Sequence, residues 1–408
     1  MTDAPRLVAR TRRVDQDLDL LALAGADGVL LERGRAGLAG RGEAARVAIE
    51  ALDARLASIE RDDEVELPGT GPVSFVALPF APDAATTAVI PSVVWGRTED
   101  GTRWATAVQP VDEPARDPAS LCAVVEPGAG PRPSRITITP TRSPASWCEL
   151  VARATKVMAD APEGGLRKVV LAREVLVEAD VPFDRSVLLG HLRRSYPGCF
   201  LYLVDGYLGA SPELLVSRTG DVVRAQPMAG TAPRGGDPAT DARLAASLLA
   251  SATYRHEHQI TIDMVFDTLI PWCSYLDYEP EPSVVGVANV QHLATMVEGR
   301  LSQPAASITE LVAALHPTPA VNGWPRDEAR AWILEHEGFD RGHYAGAVGW
   351  VDAAGNGTFA VGIRGAEVEG TTARVVAGNG IVAGSDPATE LAETQVKLQA
   401  LLGALTRV

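Results

Sequence analysis

Residues 377–402 read AGNGIVAGSDPATELAETQVKLQALL. The pattern is a strand, a glycine-rich loop and then a helix. Gly378, Gly380 and Gly384 permit positive φ and a close approach of the backbone to a ligand. Ser385 or Asp386 can cap the helix, and Pro387 fits its first turn. Leu391, Leu398, Leu402 and Leu405 supply the apolar stripe. Glu390, Glu393 and Lys397 fall at i, i+3 and i+7, so they share a different face. Two carboxylates and an ammonium beside loop amides suit a metal ion and an anionic ligand held together. They equally suit a solvated face with one Glu–Lys pair, worth about 0.3 kcal/mol.

The chain has 37 basic residues, yet its only lysines are Lys156, Lys168 and Lys397. Lysine, unlike arginine, can give up its proton when buried, and it is a compact point charge. Lysine in an arginine-rich chain therefore hints at chemistry.

A length of 408 residues is ample for a large core. The 46% hydrophobic and 22% charged content fits a soluble, cytoplasmic enzyme. A net charge of −15 argues against nucleic acid or an anionic membrane surface as a main partner. No apolar run is long enough to span a membrane, and MTDAPRLVARTRRVDQD lacks the apolar core of a secretory signal. Cys122, Cys148, Cys199 and Cys273 are scattered, which fits neither a zinc site nor a disulfide framework.

The first 40 residues read as irregular, with a glycine-rich patch at 34–42. Ile49, Leu52, Leu56 and Ile59 predict a helix over 43–60. Short strands follow over 73–125. Residues 126–146 carry five prolines and read as a connection with one strand near Ile136–Ile138. The division is an N-terminal part (1–145) and a second region (146–408), integrated into one structural domain. In the second region a helix is expected at 146–161 and a strand at 167–179. Asp184 caps a helix to about Arg194. A hairpin turns at Asp205-Gly206 and another pair surrounds Thr219-Gly220-Asp221. One long helix is expected over 239–270, strands over 283–300, a helix from Pro325 to Glu337, and a closing hairpin of 345–351 with 358–364. Hairpins beside long helices mean antiparallel α+β rather than a doubly wound parallel sheet. Without a βαβ unit, the GxGxxxG string at 378–384 is no dinucleotide signature.

Several residues suit chemistry. Lys168 borders the apolar run Val169-Val170-Leu171. Burial disfavours its ammonium form and suits it to general-base work; a strand-end lysine snorkelling to water fits as well. Glu213 in LGASPELLV precedes apolar residues, a setting that raises a carboxyl pKa and suits a proton donor; a polar residue at a strand start fits as well. Glu257 in YRHEHQITIDMV is flanked by His256 and His258, which point to different faces and cannot form a zinc pair. It suits an oxygen ligand for Mg²⁺, which needs only one or two carboxylates besides water and substrate; a solvated helix carboxylate fits the local sequence as well. Arg364 in FAVGIR can clamp a carboxylate or form a structural salt bridge, and His292 in VQHLATMV reads locally as a core histidine.

In order, KVVLARE, GASPELLV, MAGTAPRG, the HEH helix, VQHLATMVEG, LHPTPAVNG, GHYAGAVGWVDAAGNGTFAVGIR and AGNGIVAGSDPATELAETQVKL resemble the chorismate-utilising enzymes. That family includes anthranilate, aminodeoxychorismate, isochorismate and salicylate synthases. The resemblance covers about residues 150–405 and is looser before, though VVWGR and TEDGTRW also look similar. LHPTP, YAGAVGWVDA and GIVAGSDP look most like isochorismate synthase.

The resemblance implies two packed antiparallel sheets with helices outside, and an isomerisation of chorismate to isochorismate dependent on Mg²⁺. It casts Lys168 as the base that activates water for attack at C2, and Glu213 as the acid that protonates the departing C4 hydroxyl. Glu257 and Glu393 match metal ligands, with Glu390 close by. Gly230, Thr231, Tyr344, Arg364, Gly380 and Lys397 match positions around the substrate carboxylates, and His292 and Ala320 join the substrate-binding set. A monomer is expected, with a downstream isochorismate-consuming enzyme; the sequence does not choose among menaquinone, a catechol siderophore and salicylate as the end served. A lyase giving salicylate and pyruvate, or a binding protein without turnover, are the other readings. One departure stands out. The family's S-x-K-D-x-x-E-H has Thr253 and Tyr254 here in place of Lys-Asp, so support for that helix is expected to differ.

Overall fold

The computed structural model describes residues 5–407 except 82, 123, 125–131, 288 and 289. The first part of the expected 126–146 connection thus lies outside the described residues.

Two large sheets carry the architecture. One runs from Ile136–Pro140 through Lys168–Ala179, Thr372–Val382, Gly365–Glu369, Tyr207–Ser211 and Phe200–Val204. It continues through Val29–Arg33, Ala36–Arg41, Val93–Arg97, Arg103–Pro110 and Leu7–Arg13 to Glu60–Asp63. The other runs from Cys273–Tyr278 through Val297–Leu301, Val222–Gln226, Leu214–Thr219 and Gly357–Val361 to Ala347–Asp352, Val73–Leu78, Thr87–Ile90 and Ala45–Ala48. Pairing is antiparallel apart from Leu7–Arg13 with Glu60–Asp63. A third sheet of Met228–Pro233, Val290–Ala294 and Ser283–Val287 was not expected.

Strands from before and after residue 146 pair in both large sheets: Val29–Arg33 with Phe200–Val204, and Val73–Leu78 with Ala347–Asp352. Leu31, Leu38 and Tyr202 from the first sheet meet Phe75, Val348 and Trp350 from the second in one buried cluster. Helices Leu20–Ala24, Arg185–Ser195 and Pro387–Leu405 cover the outer face of the first sheet, where Leu398, Leu401 and Leu405 are buried. Each such leucine contributes about 1.5–3 kcal/mol of burial. The fold is therefore α+β, two packed antiparallel sheets with helices outside. No helix among the described residues is long and apolar enough to cross a membrane.

Three expectations fail locally. The first 40 residues are regular, forming Leu7–Arg13, Leu20–Ala24, Val29–Arg33 and Ala36–Arg41. The glycine-rich patch is a hairpin turning at Gly34-Arg35, both at positive φ. The helix over 43–60 shrinks to Leu52–Ala57, because Ala45–Ala48 pairs with Thr87–Ile90 and Glu60–Asp63 joins the first sheet. Its apolar periodicity still marked the buried side: Leu52, Leu56 and Ile59 are in the core. The long helix is two, Pro238–Ala250 and Ala252–Leu269. Ser251 is extended, ends the first and caps the second by accepting from Tyr254 N.

Candidate active site

The C-terminal stretch is built differently from its sequence expectation. Gly378 and Gly380 lie inside the strand Thr372–Val382, and neither they nor Gly384 has positive φ. Their use is the missing side chain. A Cβ on Gly378 would sit 2.9 Å from the Tyr344 hydroxyl; one on Gly380 would sit 2.8 Å from Lys168 Cε and 3.3 Å from Glu257 Oε1. Asp386, not Ser385, caps the final helix by accepting from Thr389 N, with Pro387 in the first turn.

Every candidate residue lines one cavity of about 240 Å³. The strand Lys168–Ala179 supplies Lys168, and the bend before Leu214–Thr219 supplies Glu213. Gly230 makes a bulge at positive φ that turns Thr231 toward His292. Glu257 comes from the second half of the split helix, and Glu390, Glu393 and Lys397 from the last helix. Ala320, Tyr344, Arg364 and Gly380 complete the set. The volume suits a small molecule rather than a polymer groove.

The electrostatics divide the cavity. Glu213 is buried, and desolvation pushes its carboxyl up to about 8, against the backbone N–H of Met228 and the charge of Lys168. It is a neutral acid at pH 7. Lys168 is buried and its Nζ lies 2.9 Å from Glu257 Oε1, so it does not snorkel to water. Glu257 is held below the usual carboxylate range by Lys168 despite its own desolvation. Lys397 Nζ donates to Gly378 O at 3.1 Å and Asn379 Oδ1 at 2.6 Å and pairs with Glu393 at 2.7 Å. The Glu–Lys pair of the solvated-face reading thus exists, but it faces the cavity. Burial lowers the pKa of Lys397.

At the same wall, burial pushes His292 down to about 3, so its imidazole is neutral, with Nε2 unpartnered among the described residues. Arg364 is buried at positive φ, and its Nη1 is likewise unpartnered. A buried guanidinium with a spare N–H is suited to an anionic oxygen.

Among the described residues, no group of three or more His, Cys, Asp or Glu side chains is close enough to hold a metal unaided. Glu257, Glu390 and Glu393 nevertheless line the same cavity as Tyr254, whose phenol is raised by burial and then by the charges of all three. Burial and the neighbouring Glu393 also raise Glu390. These carboxylates fit Mg²⁺, which keeps several waters and asks the protein for one or two carboxylates.

Three residues gave little warning. Asn379 joins Glu390 to Lys397, donating to Glu390 Oε2 at 3.1 Å while accepting from Lys397. Its only signal was a polar residue between two glycines. Tyr254 and Thr253, read as helix support, instead line the cavity.

The family described as chorismate binding enzyme matches residues 38–406. The chain belongs to the chorismate-binding enzymes. Isochorismate synthase DhbC of Bacillus subtilis is 42% identical over 66% of this chain and 69% of its own length. Isochorismate synthase EntC of Escherichia coli is 38% identical over 62% and 65%. The structure of MenF, the menaquinone-specific isochorismate synthase from Escherichia coli, superposes with a TM-score of 0.83 at 25% identity, covering 98% of this chain and 95% of that one. Within the chorismate-binding enzymes the chain is thus most like the isochorismate synthases. The family match reaches well into the N-terminal part, where the sequence resemblance was looser.

Proposed function

We propose that this chain converts chorismate to isochorismate, with Lys168 as the base and Glu213 as the acid. The observation that carries the reading is the pair of opposed proton carriers in one cavity: a buried lysine and a carboxyl pushed up to about 8. Lys168, in its neutral amine form, takes a proton from the water that adds at C2 of the ring and becomes the ammonium. Glu213 gives a proton to the hydroxyl that leaves C4. Water enters and water departs, so no oxidant or reductant is needed. Each proton transfer is worth about 10²–10⁴-fold.

Arg364 and Lys397 hold the anionic groups of the substrate, and neutral His292 offers an uncharged nitrogen beside them. Mg²⁺, when bound by Glu257 and Glu393 with Glu390 near, supplies positive charge that binds a carboxylate and draws electrons from the ring. Ala320 and Val321 form a small apolar wall with no proton donor of their own. This favours release of the diene over elimination of its enolpyruvyl group.

Product analysis after incubation with chorismate and Mg²⁺ tests the reading. Isochorismate is expected as the main product at neutral pH. Salicylate and pyruvate in equal yield, without an added lyase, would move the chain to the lyase reading. Chorismate returned unchanged would make it a binding protein.

A further inference from the structure

One edge of the strand Lys168–Ala179 is paired along its length with Thr372–Val382. The other edge is covered only at its ends: Lys168 and Val169 face Trp324 and Gly323, and Val175–Ala179 face Ile136–Pro140. Between them, no described strand lies beside residues 170–174, and single groups fill the gap. Val170 N donates to Asn322 O at 2.9 Å, and Ala172 O accepts from Trp147 Nε1 at 3.3 Å. Two more positions are taken by a single ion pair. Arg341 Nη2 donates to Val170 O at 2.7 Å, and Ala172 N donates to Glu337 Oε1 at 2.6 Å.

That pair is Glu337 with Arg341, joined at 2.6 and 2.8 Å with both side chains almost wholly buried. Arg341 Nη1 also donates to Val321 O at 2.9 Å. Its guanidinium carbon lies 4.4 Å from the Phe80 ring centre and 5.6 Å from that of Tyr344. Arg341 does not itself line the cavity, but it touches three things that do or that lead there: the strand of Lys168, the wall at Val321 and Tyr344. Buried ion pairs are weak as stabilising devices, and apolar residues often fill the same space as well. Apolar residues could not complete the open strand edge or hold the Val321 carbonyl.

We propose that the Glu337–Arg341 pair is a positioning device that sets Lys168 against the Val321 wall and Tyr344. This rests on Lys168 being the base. Lys168 and Val170 both face the cavity, so the carbonyl that Arg341 grips lies one side-chain repeat from the reacting amine. A displacement of about 1 Å at a reacting group can cost about a hundredfold in rate.

The test compares Arg341→Lys, which keeps the charge but loses the fork, with Glu337→Gln, which keeps the size and an acceptor for Ala172 N. Thermal midpoint, kcat, KM and the crystallographic Lys168–Glu257 distance are measured for each. For Arg341→Lys a folded protein is expected with KM within about threefold, because Arg364 and Lys397 stand on other elements, and kcat lower by at least about tenfold. The Lys168–Glu257 contact should open beyond hydrogen-bond reach from its 2.9 Å. Glu337→Gln should lose less, since the bonds to Val170 and Val321 stay. If Arg341→Lys does not fold, Glu337→Gln is judged by the same readouts. A folded variant that keeps both the short contact and a kcat within about twofold of the parent, with only a lower thermal midpoint, overturns the proposal. If the parent itself leaves chorismate unchanged, the functional reading fails, and the crystallographic distance alone decides the positioning.

Discussion

Nζ of Lys168 lies 2.9 Å from the carboxylate of Glu257, so the proposed base and a proposed metal ligand are partners. The strand Lys168–Ala179 and the helix Ala252–Leu269 bring them together from 89 residues apart. Lys168→Arg separates charge from basicity at this contact. Guanidinium can keep the ion pair but holds its proton above about pH 12. A fall in kcat of about 10²-fold or more is expected, with folding intact by circular dichroism. A variant with near-normal kcat would remove Lys168 from the base role.

Glu213 links rate to stability. Its carboxyl is pushed up to about 8 by burial, from an ordinary 4.5. Between those values the folded chain holds a proton that the unfolded chain has released. Stability due to this group is therefore full below pH 4.5 or so and declines as pH rises toward about 8, by about 1.4 kcal/mol per pH unit at most. The acid form also disappears across the upper end of this range, so kcat should fall above about pH 8. Glu213→Gln should lose about 10²-fold in kcat or more. It should also become more resistant to urea than the parent at pH 8.5, with the difference shrinking at pH 5. Equal urea midpoints for parent and variant at both pH values would show that the carboxyl is not buried neutral.

How much of this was legible in the chain depends on the range of the forces involved. Asp184, Asp205-Gly206 and Pro387 act within a few residues, and the elements they start or turn stand where the sequence put them. Glu390, Glu393 and Lys397 share a face by helical period alone, and the structure turns that face to the cavity. Where pairing partners lie far off, local pattern misled. Ala45–Ala48 is a strand because Thr87–Ile90 is beside it, although its neighbours carry helical periodicity. The glycines at 378 and 380 suggested a loop; they are strand positions emptied to make room for Tyr344 and Lys168. Nothing near Arg341 in the chain announces that it will complete a strand edge 171 residues away.

The carboxylates of the cavity carry a metal prediction. EDTA should abolish turnover and Mg²⁺ should restore it. Calorimetry with Mg²⁺ alone gives a readout independent of turnover. Glu393→Gln and Glu257→Gln should each weaken Mg²⁺ binding by about tenfold or more, since the ion draws only one or two carboxylates from the protein. Full activity in EDTA with metal-free reagents, or unchanged Mg²⁺ binding in both variants, would remove the ion from this site.

Gly380 separates room for chemistry from stability. In Gly380→Ala the new methyl would meet Lys168 Cε at 2.8 Å and Glu257 Oε1 at 3.3 Å, so something has to move. The nearer atom is close to the end of a flexible side chain, which yields more easily than backbone. The backbone at 380 is ordinary strand, where alanine is favoured over glycine by up to about 1 kcal/mol. The fold should therefore keep its thermal midpoint or gain slightly. The chemistry should not survive as well, because the methyl presses on the proposed base beside its contact with Glu257. A drop in kcat of about 10²-fold is expected, the size associated with a misplacement of about 1 Å at a reacting group. Gly384→Ala is the control, since a Cβ there would meet nothing within 4 Å, and its kcat should be unchanged. Equal kcat in the two variants would mean that the space beside Lys168 does not matter to turnover.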